Sequence, residues 1–271
     1  MKRTTLSIAA AFALLLLLGV GAAADDENYE INWFLLMNYG ARTGELTPPF
    51  GDRGDWLIGE ERLRMDVVAW SDSIEAEIKF KADFYHDAVT DEFDIDVREA
   101  YLDYTTGPFD FRLGRQVITW GVGDLVFIND VWAKDWVSFF SGRPLEYLKT
   151  AVDGVRIRYT GDLVNAEFVV LPTFEPDNVP GSDRFSYFDP FIGIPNRTRV
   201  EPERTLENTE VAVRLYRYIS GFDVSGYFYK GYWHEPAIML DNFRRPTAVT
   251  EYYPELYVYG ASAQGSALDG I

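Results

Sequence analysis

The sequence contains no cysteine among its 271 residues and only two histidines, His86 and His234. Without cysteine the chain can form neither a disulfide bond nor a thiolate metal site, and it lacks the acceptor residue of a lipid-anchored lipoprotein. No long apolar run follows Val20, so no membrane-spanning helix is predicted beyond that point.

Basic residues are also scarce, because 25 Lys and Arg stand against 43 Asp and Glu, which gives a formal net charge of −18. Nucleic acids and anionic lipid surfaces attract clusters of Lys and Arg, and the sequence has no such cluster. Nucleic acid is therefore excluded as a partner. We also predict no cofactor and no metal.

The first residues have the three parts of a secretory signal peptide. Lys2 and Arg3 are the positive region, residues 6–20 are the apolar region, and Ala22-Ala23-Ala24 offers a small-residue cleavage site. We predict a signal peptide over residues 1–24 and a mature chain over residues 25–271. The alternative is an uncleaved anchor, which would need about 20 apolar residues to span a membrane.

Apolar and charged side chains alternate without error over residues 74–84. One face of an extended strand would carry Ile74, Ala76, Ile78, Phe80, Ala82 and Phe84, and the other Glu75, Glu77, Lys79, Lys81 and Asp83. Side chains of a strand point alternately to opposite faces, whereas a helix would mix the two sets.

Similar patterns predict about ten strands, at residues 30–42, 57–70, 74–85, 95–105, 109–120, 151–160, 164–171, 210–219, 222–232 and 255–267. Short turns, for example Thr106-Gly107-Pro108 and Ser220-Gly221, alternate with long connections at residues 87–94, 121–150, 172–209 and 233–254. Aromatic residues cluster at the expected strand ends, namely Trp70, Tyr85, Tyr104, Phe109, Trp120, Tyr159, Tyr218, Phe222 and Tyr232. These features are typical of an all-β fold, a transmembrane antiparallel up-and-down β-barrel.

Alternation alone does not say which face points outward. A membrane barrel would turn the charged face inward, with residues such as Arg62, Arg64, Lys79, Glu99 and Arg214 in a wet lumen. A secreted soluble barrel or sandwich would bury the apolar face instead. The signal peptide, the strand lengths and the pattern of connections favour the membrane.

The last predicted strand is followed by a turn-like segment, Ser266 to Gly270, and by no closing strand. We therefore expect the chain to be the N-terminal part of a larger barrel. A complete ten-stranded barrel is the alternative.

One part of the sequence resembles known proteins. Arg98-Glu99-Ala100-Tyr101 leads by a short turn to Gly114-Arg115-Gln116 and then to Trp120-Gly121. This arrangement, over residues 97–140, resembles a recurring run in proteobacterial outer-membrane porins. It is similar to porin-like families related to the alginate-export and phosphate-selective porins. The resemblance implies the barrel fold but gives no substrate-binding residue.

Signs of catalysis are weak, and we predict that the protein is not an enzyme. Neither histidine has an evident serine partner, so both are interpreted as surface residues. The start of a dinucleotide fingerprint at Gly121-Val122-Gly123 lacks its third glycine. An acidic loop with Asp87, Asp91, Glu92, Asp94 and Asp96 could bind a divalent cation, but a solvated loop is favoured because the EF-hand spacing is absent.

The connection over residues 121–150 carries too much apolar surface for a solvated loop. Trp132, Trp136 and Phe140 are spaced by four, which predicts a short helix beginning near Asn129 or Asp130. We expect this connection to fold into the lumen as a constriction, with an extracellular lid or a subunit contact as alternatives. The candidate pore-lining residues are Arg112, Gln116, Asp124, Asp130, Lys134, Asp135, Arg143, Glu146, Arg156 and Arg158.

The sequence thus predicts a porin in the cell outer membrane that lets small hydrophilic solutes or ions diffuse passively. Its partners would be outer-membrane lipid and these solutes, and a homo-oligomer is left open. The alternatives are a non-conducting structural or adhesive barrel and an outer-membrane hydrolase.

Overall fold

The structure is a computed structural model that describes residues 28–44, 54–120, 127, 129–181, 185 and 189–265. The predicted signal peptide, the turn-like segment after residue 265 and the candidate residue Asp124 lie outside these ranges.

The described chain is all-β, and ten of its strands form one antiparallel sheet in the order β1-β2-β3-β4-β5-β6-β7-β9-β10-β13. These strands are β1 (Tyr29–Ala41), β2 (Trp56–Ser71), β3 (Ala76–Asp87), β4 (Glu92–Thr106), β5 (Phe109–Val117), β6 (Ala151–Tyr159), β7 (Asn165–Leu171), β9 (Glu210–Ile219), β10 (Phe222–Tyr232) and β13 (Glu255–Gly265). The prediction of an all-β fold with about ten antiparallel strands is confirmed. In the described part of the chain, β1 pairs only with β2 and β13 only with β10, so these two strands are the edges of the sheet.

Eight of the ten predicted strands differ from the observed strands by one to three residues at one end or both, and three of these differences change an interpretation. Ile74 and Glu75 belong to the turn before β3, where Glu75 adopts a positive φ of 49°, so the predicted strand begins two residues too early. Strand β5 ends at Val117 instead of Trp120. The connection between β3 and β4 contains only residues 88–91, so the acidic residues predicted in a long loop mostly lie on strands.

The sheet has two chemically distinct faces, because directly paired residues on neighbouring strands share a face. Arg64 is paired with Asp83 and Leu63 with Phe84, and this separation of charged from apolar pairs continues across the sheet. The charged face carries Glu60, Arg62, Arg64, Asp66, Lys79, Lys81, Asp83, Glu99, Asp103, Arg112, Arg156, Arg158, Glu167 and Arg214. The apolar face leaves large side chains exposed, including Leu63, Phe84, Ile95, Leu113, Phe168 and Leu215.

A second sheet was not predicted from the sequence. It consists of β8 (Asn196–Val200), β11 (Ala237–Leu240) and β12 (Ala248–Tyr252), in the order β11-β12-β8. Strand β12 pairs with β11 antiparallel and with β8 parallel, so two long connections of the large sheet are joined to each other. No helix within the described ranges is both long and apolar enough to span a membrane.

The connection between β5 and β6, residues 118–150, contains the helix α1 (Trp136–Ser141) and a 3-10 helix (Leu145–Leu148). The predicted helix start near Asn129 or Asp130 is therefore wrong. Asp135 is the N-cap, since its side chain accepts a hydrogen bond from the Ser138 backbone N–H at 2.8 Å. Trp132 precedes this cap and is not on the helix.

Candidate functional site

The β5–β6 connection lies against the charged face of the sheet and is held there at two places. At the first, the apolar anchor, Trp120 and Trp132 are almost fully buried against Tyr227 and Tyr229 of β10. The ring centroids of Trp120 and Trp132 are 5.1 Å apart, and those of Trp132 and Tyr229 are 6.0 Å apart, both in edge-on geometry. Burial of these large rings makes this anchor a small hydrophobic core.

Strands β6, β7 and β9 contribute Val152, Val169, Leu171 and Ala212 to the apolar anchor, and Ile118 of the connection completes it. On the charged face of the sheet, the ends of β6, β7 and β9 nearest the long connections therefore carry apolar side chains. The Trp120 indole N–H also donates to Glu167 Oε1 at 2.5 Å. Trp120, expected at the end of the fifth strand, therefore lies beyond β5 and is buried against the charged face.

The second contact, the charged anchor, joins the 3-10 helix to β2 and β3. Arg64 Nη1 donates to both carboxylate oxygens of Glu146 at 3.0 Å, while its Nε donates to Asp83 Oδ1 at 2.7 Å. Arg62 Nη1 reaches the other oxygen of Asp83 at 3.1 Å. Asp83 is fully buried, so the two guanidinium groups replace the water that its charge would otherwise need.

Tyr147 lies at the centre of the charged anchor. Its hydroxyl accepts a hydrogen bond from Arg64, and the guanidinium carbons of Arg62, Arg98 and Arg64 lie 4.6, 4.9 and 5.2 Å from its ring centroid. Cations over an aromatic face are attracted by the negative potential of the ring. Burial raises the pKa of the Tyr147 hydroxyl, so this group stays neutral and orders the three arginines without adding charge.

Arg143 extends the charged anchor towards α1. Its guanidinium forms an ion pair with the buried Glu60 of β2, and its Nη1 donates to Ser138 Oγ at 2.9 Å. Gly142 ends the helix with a positive φ of 79°, a conformation that suits glycine. Arg143 therefore joins the end of α1 to strand β2 of the sheet.

Asp130 and Lys134 form a buried ion pair, with 3.2 Å between Lys134 Nζ and Asp130 Oδ1. Burial raises the pKa of Asp130 and lowers the pKa of Lys134, while each partner opposes the other's shift. Lys134 Nζ also donates to the Trp132 carbonyl at 2.6 Å. Both candidate pore-lining residues are thus enclosed in the connection, where the pairing offsets their desolvation.

Residues 174–178 of the next long connection hold the start of α1. Asp177 accepts hydrogen bonds from the Lys134 backbone N–H at 2.7 Å and from the Trp136 indole at 3.0 Å. The Asn178 carbonyl accepts from the Trp136 backbone N–H at 2.9 Å. These residues link the connection to His234, whose carbonyl accepts from the Asp177 N–H at 2.9 Å.

The His234 ring is buried and contacts two aromatic side chains and one backbone carbonyl. Its ring stacks on Phe174 with 5.2 Å between centroids, Nδ1 lies 2.6 Å from the Glu175 carbonyl, and Nε2 lies 3.3 Å from the Tyr229 hydroxyl. Burial lowers the pKa of His234. The expectation of a surface histidine is wrong for this residue, whereas His86 is partly exposed beside Glu61 and Asp91.

The remaining candidate residues lie on the charged face below the connection. Arg112 binds Asp103 through Nε at 2.6 Å and Nη2 at 2.5 Å, and it is paired across the strands with Arg156. Arg158 is paired with Glu167 and Asp110. Gln116 is fully buried, and its amide donates to the Gly154 carbonyl at 3.2 Å. Gln116 is therefore packed against the sheet and is not exposed on the charged face.

Sequence reasoning did not identify the partners that hold the connection in place. Glu60 and Asp83 could have been identified from the sequence, since the alternation puts them on one face with Arg62 and Arg64. Tyr147 and Asp177 could not, because their roles depend on contacts between distant segments. Among the described residues, no group of His, Asp and Glu has the arrangement of a metal site.

The chain was also compared with known proteins. No family model matches it, and no curated protein matches it either.

Proposed function

We propose that this chain forms the wall of an outer-membrane pore through which small hydrophilic solutes or ions diffuse passively. The observation that carries the proposal is the position of the β5–β6 connection on the charged face of the sheet. A segment of this size that folds over a charged face narrows the space beside it, which is the place of a constriction loop.

The apolar face supports a membrane location. Leu113, Leu215 and Ile95 are each at least half exposed, and Tyr259 is 78% exposed. Soluble monomers rarely leave such a continuous apolar surface in water, and a sandwich would cover it with a second sheet. Tyr104, Phe109 and Tyr159 lie near the short turns on this face, where an aromatic belt would meet the membrane interface.

A pore in lipid also needs its sheet edges paired, because each unpaired backbone group costs several kcal/mol in hydrocarbon. Strands β1 and β13 are 13 and 11 residues long, which is enough to cross the hydrocarbon core when tilted. We expect these edges to be closed by further strands of a larger barrel. Direct pairing of β1 with β13 would give the ten-stranded alternative.

The test is single-channel recording of the protein in planar bilayers. Replacing residues 136–142 with a Gly-Ser chain of the same length removes α1 but keeps Trp132 and the charged anchor. We expect higher conductance and weaker ion selectivity than in the unmodified protein. A matched control replaces the exposed residues 243–245 of the β11–β12 turn, where Phe243 is 90% exposed, and should leave the conductance unchanged.

One observation favours a second candidate, a non-conducting barrel. The connection is anchored on β2 and β3 at one end and on β6, β7, β9 and β10 at the other, so it reaches across most of the charged face. If it closes the lumen, the unmodified protein shows no channels and only the replaced variant conducts. That result would contradict the passive pore and support a structural or adhesive role.

A further inference from the structure

A recess of about 350 Å³ lies between the charged face and the 3-10 helix of the β5–β6 connection. Lys81 of β3 and Arg98 of β4 line its wall side, and Glu146 and Lys149 line the opposite side. This volume is at the lower end of the range for small-molecule sites. The proposed pore function assigns no role to the recess.

The carboxylates at the recess are already neutralised by cations outside it. Glu99 forms an ion pair with Lys79 at 3.2 Å, and Glu146 takes two hydrogen bonds from Arg64 at 3.0 Å. Neither Lys79 nor Arg64 lines the recess. The charge that remains at the recess is therefore positive.

Two of the cations at the recess lack a strong partner. The Lys81 ammonium is 3.7 Å from Glu146 Oε2, which is beyond hydrogen-bond distance, and it has no hydrogen bond within the described ranges. Lys149 forms no ion pair in the same part of the chain. Arg98, by contrast, donates through Nη2 to the carbonyls of Glu146 and Lys149 at 2.7 and 3.1 Å. Arg98 thus fixes the 3-10 helix over the recess, whereas neither lysine has a hydrogen-bonded carboxylate among the described residues.

Apolar side chains complete the recess. Val117 ends β5 at one side, and Leu145 and Leu148 belong to the 3-10 helix. Leu148 is fully buried, whereas 53% of Leu145 is exposed. Two ammonium groups beside an apolar surface suit a ligand with a carboxylate at one end and an apolar body at the other.

We propose that this recess binds small organic carboxylates with an apolar body, through Lys81 and Lys149 at the carboxylate and Val117 and Leu145 at the body. This inference rests on the proposed function only in placing the recess on the solute's path. Binding itself needs a folded protein and no conduction. The two proposals can therefore fail separately.

The experiment is calorimetric titration of the full chain, folded in detergent micelles, with benzoate, and with protein-free micelles as the blank. Two further probes separate the parts of the ligand, since benzyl alcohol lacks the charge and inorganic phosphate lacks the apolar body. We expect benzoate to bind and both other probes to bind more weakly. Equal binding of benzyl alcohol or of phosphate would overturn the proposal, as would the absence of benzoate binding.

Substitutions locate the site. Lys81→Gln and Lys149→Gln each remove one charge-assisted contact and should weaken benzoate binding about tenfold. Arg158→Gln removes a cation of the charged face outside the recess and should leave benzoate binding unchanged. An equal loss in all three variants would show that the general charge of this face attracts the ligand, and would contradict the recess as the site. Benzoate binding without any channel activity would refute the pore and leave this inference standing.

Discussion

At the scale of single residues, the long connections depend on a few buried polar groups at their contacts. His234 is the histidine among them. Its ring faces Glu175, Asp177, Lys134 and Tyr229, and its Nε2 lies 4.0 Å from Glu210 Oε1. Its Nδ1 must carry the proton, because the Glu175 carbonyl at 2.6 Å can only accept a hydrogen bond. The neutral ring therefore joins the connection after β7 to the connection after β10.

The lowered pKa of His234 predicts that stability falls as the pH is lowered. The unfolded chain binds a proton at His234 below its ordinary pKa of 6.5, whereas the folded chain binds it only at lower pH. The free energy of unfolding should therefore decrease below pH 6.5, by at most about 1.4 kcal/mol per pH unit from this group. Urea unfolding in lipid vesicles at several pH values measures it.

Comparison with variants isolates this contribution. Burial raises the pKa of the Glu175 carboxyl, which opposes the histidine effect in acid, so the unmodified protein alone does not report His234. His234→Asn keeps a donor towards the Glu175 carbonyl and should lose less stability than the unmodified protein as the pH is lowered from 6.5 to 5. His86→Asn, at the other histidine, should not show this gain. If stability falls as steeply with acidification in His234→Asn as in the unmodified protein, the assignment is contradicted.

At the scale of elements, the sequence predicted the strands of the large sheet well and the connections poorly. The period of two is local, so alternation located most of the ten strands, and β9 and β10 have the predicted bounds. The helix start was missed because spacing by four in Trp132, Trp136 and Phe140 was attributed to one helix. Asp135 instead caps a helix that begins at Trp136, and Trp132, which precedes this cap, packs on Tyr229 outside the helix. Strands β8 and β12 were missed because their pairing joins distant segments.

The facing of β3 gives a prediction for a single element. Ile78 is paired with Ala69 and Leu102 on the apolar face, and Lys79 is paired with Tyr101 on the charged face. If the apolar face meets lipid, Ile78→Arg should destabilise the folded protein by roughly 2–4 kcal/mol. Lys79→Arg keeps the ion pair with Glu99 and should be nearly silent. Unfolding in vesicles measures both, and equal effects would refute the facing.

At the scale of the whole molecule, the candidate site could be predicted only in outline. The excess of apolar residues in the β5–β6 connection indicated that it needs a surface to pack on, and the structure places that surface on the charged face. The predicted lining residues fared less well, because Asp130, Lys134 and Gln116 are buried. A sequence pattern shows which residues are charged, but not which of them find a partner in a folded connection.

The export of the molecule is a separate prediction from residues outside the described ranges. We expect cleavage after Ala24, with the mature protein in the outer-membrane fraction and Asp25 as its first residue. N-terminal sequencing of the membrane-extracted protein measures this. Ala22→Leu with Ala24→Leu should accumulate the precursor, since the peptidase accepts only small residues there. A mature protein that still began with Met1 would contradict the signal peptide.

The pairing of the strands also determines the order in which the molecule can assemble. Seven of the nine pairings in the large sheet, all except β7–β9 and β10–β13, join strands that are consecutive along the chain. Connections of two to five residues close five of these seven. Such hairpins lose little chain entropy on closing and form early. Strand β8 must instead wait for β12, because Arg199 and its partner Glu251 are 52 positions apart with β9 and β10 between them. The three-stranded sheet is therefore a late folding event, and the last step of assembly joins the long connections over a wall that already exists.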